Sequence, residues 1–271
     1  MKVKAALIAS SIILGMALLF LLQNAAIYPA YFRSLQEYEL SSSENMVVGK
    51  IVVDNNQIKT LYFKGDESKP LIVFFHGNME LVDDYAWSFK NLSREIGYNI
   101  VMIEYPGYGN SDGFPSLKGS IKATNKWLEQ HYDGSELILW GRSIGSAHAI
   151  ELFVQNPSAV SNVIIQSGFS DLSVAVTESK GLKSLINSFL LEDYNSLNKL
   201  LETPDLARNT KFTLIHGNKD QLFSIESAVS FKNALMADGF SVNFIEFNGD
   251  HNSTNFSHFK LLMGLQHILV K

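Results

Sequence analysis

Along this chain, short apolar runs alternate with segments of helical periodicity, and that alternation constrains the fold more than any other feature. Residues 71–75 form an unbroken apolar run, which suits a strand covered on both faces. Strand-like runs follow at 100–105, 137–140, 163–166, 212–216 and 242–247. Between or after them, residues 85–96, 121–132, 146–156, 225–238 and 253–270 are patterned as helices, with Ile121, Thr124, Trp127 and Leu128 near one face. Such an order implies an α/β fold with a mostly parallel central sheet flanked by helices. A hairpin precedes it: apolar residues from Val47 to Val53 lead into the turn Asp54-Asn55-Asn56, and Ile58, Leu61 and Phe63 mark the returning strand.

The 271 residues are 46% hydrophobic and 18% charged, enough for a sizeable core and too apolar for global disorder. Acidic residues outnumber basic ones, 27 to 22, with no basic stripe, which argues against nucleic acid as a partner. The absence of cysteine excludes disulfides, thiolate metal sites and a cysteine nucleophile.

Lys2 and Lys4 precede an uncharged apolar stretch over 5–22, and no further charge appears before Arg33. About eighteen apolar residues are the minimum for crossing a bilayer. A cleaved signal peptide would end in small residues of A-x-A type, and residues 23–29 match that poorly. The expectation is therefore a single-pass anchor within residues 1–32, its N-terminus cytoplasmic and the remainder, 33–271, an extracytoplasmic α/β domain. Cleavage would instead make the domain a secreted one. Tyr28, Tyr31 and Phe32 would then lie at the membrane interface.

Gly141-Arg142-Ser143-Ile144-Gly145 sits between the strand-like run 137–140 and a helical segment. A G-x-S-x-G match alone arises by chance in roughly one chain in ten of this length, so its strand–turn–helix setting carries the weight. In that setting the two glycines permit a turn too tight for side chains on either side of the serine. A serine nucleophile needs a base and an orienting acid. Asp220 lies on the loop after the 212–216 run and His251 on the loop after 242–247, so both converge with Ser143 at the carboxyl edge of the sheet. Asp171 is the alternative acid. Asp250 flanks the base without facing the serine.

An oxyanion formed at such a site needs two backbone donors. The Ile144 N–H is one. The other belongs to the loop His76-Gly77-Asn78-Met79, at Met79 or, second, Asn78. Between 166 and 212 there is too much chain for one crossover. Leu182, Leu185, Ile186, Phe189 and Leu190 fall at helical spacing there, as a small cap over the site (172–203) or as a face packed on the domain.

Taken together, Phe75-His76-Gly77-Asn78, Tyr105-Pro106-Gly107-Tyr108-Gly109-Asn110-Ser111, Gly141–Ser146, His216–Asp220 and Gly249-Asp250-His251-Asn252 resemble the signature segments of α/β-hydrolase-fold serine hydrolases. They are most similar to the membrane-anchored ABHD-type esterase and thioesterase branch, over about residues 45 to 271. The resemblance implies an acyl-enzyme on Ser143, the triad Ser143, Asp220 and His251, and lipid-like acyl esters or thioesters as substrates. It implies substrate contacts at His76, Gly77, Asn78 and Tyr108, and no metal or organic cofactor. Met79-Glu80-Leu81 departs from the small residues usual after that Asn. A peptidase of the same fold and a non-catalytic binding protein are the other readings of this pattern.

Overall fold

The computed structural model describes residues 27–32, 40–132, 134–172, 193–203 and 208–253, with isolated positions between 10 and 21. Strands β1 (Met46–Val53) and β2 (Asn56–Phe63) form the expected hairpin. Asp54 and Asn55 take φ of 50° and 67° at its turn, the left-handed pair that matches strand twist in a two-residue loop. Then come β3 (Leu71–Phe75), β4 (Asn99–Ile103), β5 (Leu137–Arg142), β6 (Val160–Gln166), β7 (Lys211–Gly217) and β8 (Ser241–Phe247). Among the described residues they make one eight-stranded sheet in the order β1-β2-β4-β3-β5-β6-β7-β8. The hairpin pairs antiparallel to β4, and all pairs from β4 to β8 are parallel.

The helices are α1 (Val82–Ile96), α2 (Leu117–His131), α3 (Gly145–Gln155), the short α4 (Ser196–Glu202) and α5 (Ile225–Ala237). They cover both faces of the sheet, and β3 shows why its sequence is apolar throughout. Leu71, Val73 and Phe75 enter the core shared with α2, α3 and α5, while Ile72 and Phe74 enter the core under α1. Each large side chain so buried contributes roughly 1.5–3 kcal/mol.

Two helices begin earlier than apolar spacing predicts, and polar contacts explain both. In α2 the Ser116 hydroxyl accepts from Gly119 N–H at 3.0 Å, so the helix opens at 117 rather than 121. In α1, Asp84 accepts from Leu81 N–H at 2.9 Å and buried Glu104 from Val82 N–H at 3.0 Å, so the helix opens at 82 rather than 85. Glu104 belongs to another strand's end, so only the folded chain supplies that cap.

The boundary expected at residue 32 moves. Tyr28 is fully buried, its hydroxyl 2.6 Å from that of Tyr194 and its ring edge-on to Tyr105, Tyr108 and His148. Residues 27–32, with a 3-10 turn at Pro29–Phe32, thus pack into the domain, and Tyr28 is a core residue rather than an interfacial one. Most of the apolar stretch 5–22 lies outside the described residues. Among those described, no helix is long and apolar enough to cross a membrane. The expected cap face (Leu182 to Leu190) and the helix at 253–270 also lie outside the described residues, apart from Ser253. The described end of the cap interval, α4, buries Leu200 in the core.

Candidate active site

Strand β5 ends in a turn whose geometry is set by contacts between backbones. Ser143 takes φ 53°, and its N–H donates to Gln166 O on neighbouring β6 at 2.9 Å. A Cβ on Gly141 would lie 2.2 Å from the Gly145 carbonyl oxygen, and one on Gly145 would lie 2.2 Å from that of Phe75. Neither partner can swing aside, so only glycine fits at both places. The strained serine is held where its hydroxyl clears the sheet edge. Ile144 N–H opens α3, where the first amides lack partners within the helix and the dipole favours negative charge.

His251 and Asp220 meet that hydroxyl. His251 Nε2 is 3.0 Å from Ser143 Oγ, and Nδ1 is 2.8 Å from Asp220 Oδ2. All three residues are buried, between 7% and 8% exposed. A carboxylate facing Nδ1 calls for a proton there, leaving Nε2 as the acceptor toward the serine. Asp220 Oδ1 accepts from the Leu222 and Phe223 N–H groups at 2.9 and 3.0 Å. Burial acts to raise the Asp220 pKa, but the hydrogen bonds from His251 and from those two amides outweigh it, and the net shift is downward. His216 Nε2 lies 3.5 Å from Asp220 Oδ2, yet it donates to Phe223 O at 2.8 Å and burial pushes its pKa down. It is a neutral neighbour, not a second ion-pair partner.

The loop after β3 is held quite differently. Glu80 Oε2 accepts from Gly77 N–H and from the Tyr85 hydroxyl, each at 2.5 Å, while Glu80 Oε1 pairs with Arg142 Nη1. Glu80 N–H closes the turn on Gly77 O at 3.3 Å. Asn78 O accepts from the Tyr108 hydroxyl at 2.7 Å and from Ala30 N–H at 3.4 Å. Met79 projects its side chain outward, 56% exposed.

Two expected substrate contacts are corrected by burial. His76 is wholly enclosed, with Nε2 2.8 Å from Glu104 Oε1 and Nδ1 2.8 Å from Gly77 O, so its side chain braces the loop from behind. Tyr108 is also enclosed and reaches the loop through the Asn78 carbonyl. Asp171, the alternative acid, instead accepts from Asn195 Nδ2 at 3.0 Å. Asp250 accepts from Asn252 N–H and the Ser253 hydroxyl, away from the serine. A cavity of about 1070 Å³ between β1, α2 and α3 is lined by mixed charges such as Lys122, Lys126, Glu129 and Glu151, and none of the three converging residues borders it.

Sequence reasoning passed over Glu80, Glu104 and Arg142 as site residues. For Arg142 a signal was present: an arginine ending an apolar strand must find a counter-charge if it is buried. Its pKa is pushed down by burial to about 10, against the pull of nearby Asp220.

A family model described as alpha/beta hydrolase fold matches residues 70–190. Protein bem46 of Schizosaccharomyces pombe is 26% identical over 226 residues, 78% of this chain and 74% of that protein. The lysophosphatidylserine lipase ABHD12 of Danio rerio is 33% identical over 89 residues, 31% of this chain and 23% of that one. Among solved structures, an alpha-beta hydrolase from Vibrio vulnificus superposes with a TM-score of 0.73 at 20% identity, covering 92% of this chain and 91% of that one. The sheet order, the family model matched over residues 70–190 and the superposition agree on the fold: the chain has the α/β-hydrolase fold, and bem46 and ABHD12 are proteins it is similar to.

Proposed function

We propose that the chain is a serine hydrolase that cleaves carboxylic esters or thioesters through an acyl-enzyme on Ser143. The observation that carries this reading is the continuous chain of contacts from Ser143 Oγ through His251 to Asp220. In the first step His251 Nε2 takes the serine proton as Oγ attacks the acyl carbonyl. Asp220 holds the ring and offsets the positive charge it gains. The oxyanion is received by Ile144 N–H and by a second amide at Met79, with Asn78 the alternative. His251 then returns its proton to the leaving alcohol or thiol. Water, deprotonated by the same nitrogen, releases the acid and restores the serine. ABHD12 of Danio rerio is named a lipase, and lipid esters are the substrate class that likeness favours. The apolar stretch at 5–22 would tether the domain beside such substrates as a single-pass anchor with a cytoplasmic N-terminus. Resistance of the full chain to carbonate extraction from membranes checks that tether.

The decisive experiment uses the full chain with a fluorophosphonate probe and a panel of p-nitrophenyl esters, acyl thioesters and peptide anilides. The wild type is expected to label and to turn over esters or thioesters. Ser143→Ala should keep the fold and lose about 10⁴-fold or more of the turnover. Esterase activity surviving in that variant would refute the assignment. A wild type that neither labels nor turns over would point to a binding protein on this fold, and preference for anilides to a peptidase.

A further inference from the structure

Arg142 is the variable residue of the G-x-S-x-G pentapeptide, and its guanidinium points into the protein with 6% of the side chain exposed. One arm, Nη1, pairs with Glu80 on the loop after β3. The other arm, Nη2, donates at 3.2 Å to His251 O and at 3.2 Å to Asn252 Oδ1, on the loop after β8. Glu80 passes the connection on through its second oxygen to Gly77 N–H and the Tyr85 hydroxyl. A side chain at Gly77 would meet the Glu80 carboxylate at 2.8 Å and Arg142 Nη1 at 2.9 Å, so the space is closed around the pair. Three segments that come together only in the folded chain therefore share one ion pair: the serine turn, the loop expected to hold the second oxyanion donor, and the loop carrying the base.

From this arrangement we infer that Arg142 and Glu80 are positioning residues, a two-armed clamp that sets the oxyanion loop and the His251 loop in register with Ser143. The inference rests on the hydrolase reading above. Guanidinium suits the task because its planar fork offers several donors in fixed directions, which an ammonium cannot reproduce. Within the clamp, Glu80 answers the charge on Arg142. Neither side chain reaches the reacting atoms. Their effect on turnover comes through the placement of amides and imidazole, where a misplacement of about 1 Å can cost roughly 10²-fold.

An ion pair with one partner buried and the other part-buried is also structural, so the test must separate geometry from stability. Removing one partner strands a buried charge and unfolds many proteins, whereas replacing both by apolar residues of similar volume is often neutral. The full chain is therefore compared with Arg142→Lys and with the double variant Glu80→Met/Arg142→Met. Thermal midpoint, kcat and KM on one p-nitrophenyl ester, and amide hydrogen exchange over 76–81 and 250–252 are measured for each. The double variant is expected to melt near the wild type while kcat falls about 10²-fold with KM within about twofold. Arg142→Lys keeps the charge but not the fork, and should lose about tenfold in kcat. Exchange should rise in both loops together. A double variant with wild-type kcat, or with both loops as protected as before, overturns the clamp. Exchange decides this even in a wild type without esterase activity, an outcome that would strike down the hydrolase reading separately.

Discussion

The serine turn and the loop after β3 stand at the same edge of the sheet, one strand apart, yet they are held by opposite means. The turn is fixed by repulsion between backbones: a Cβ at either flanking glycine would sit 2.2 Å from a carbonyl oxygen. The loop is fixed by attraction between its own Glu80 and His76 and side chains from elsewhere, with Arg142, Tyr85, Tyr108 and Glu104 each taking a part. Steric exclusion here asks only for backbone on the other side, Gly145 O against Gly141 and Phe75 O against Gly145, so the residues that must be small fit in five consecutive positions. A polar network needs every partner present, and its members are spread across the chain. The turn should accordingly be intolerant of small changes, and the loop should fail by degrees.

Substitution at the turn gives the largest expected effect and the sharpest way to break this contrast. Gly145→Ala is expected to destabilise the fold by about 3 kcal/mol or more, because Phe75 O cannot move without shifting β3. A thermal midpoint within a degree or two of wild type would show that the elbow yields after all. The loop offers a milder probe. Tyr108→Phe deletes only the hydroxyl that holds Asn78 O, leaving Ala30 N–H as the remaining donor to that oxygen. Its expected cost is about 1 kcal/mol of stability and roughly tenfold in kcat. Unchanged kcat would mean that the loop is already fixed by its other contacts, at Glu80, His76 and Ala30.

The smallest effect at neutral pH comes from His148, which lies between the two regions. Its ring stacks on Tyr105 and Phe75, its Nδ1 meets Ile144 O at 3.1 Å, and its Nε2 has no hydrogen-bond partner among the described residues. Burial pushes its pKa down to about 3 from 6.5. In that window the unfolded chain binds the proton and the folded chain does not, so stability falls as pH drops from 6.5 toward 3. The loss from this one residue is on the order of 4 kcal/mol by pH 3. His148→Phe should flatten that slope in denaturant titrations while leaving turnover at pH 7.5 within about twofold. A slope as steep as wild type would mean that the ring already accepts a proton in the folded state.

Much of the frame could be read from the chain because its causes are local. The apolar runs placed the strands, and β3 was located to the residue since both its faces are covered. Asp54 and Asn55 gave away the hairpin because their side chains tolerate positive φ. Ser143, Asp220 and His251 were legible for a related reason: each follows a strand in a parallel sheet, and parallel strands deliver their carboxyl ends to one edge. Helix starts were less legible. Ser116 is a local cap and could have been used, whereas Glu104 reaches α1 from the end of β4.

The amino-acid sequence by itself determined the order of elements, the glycine-flanked serine and the three residues that meet, since these follow from periodicity, sterics and strand direction. Tertiary structure alone decided that Tyr28 is core, that His76 and Tyr108 brace a loop from behind, and that Arg142 answers Glu80. The physical reason lies in register. Parallel pairing sets Phe75 beside Gly141, so the residues that follow each strand share one small volume. Separation of 62 positions along the chain gives no hint of that neighbourhood, and a buried charge can choose its partner only after the strands have aligned.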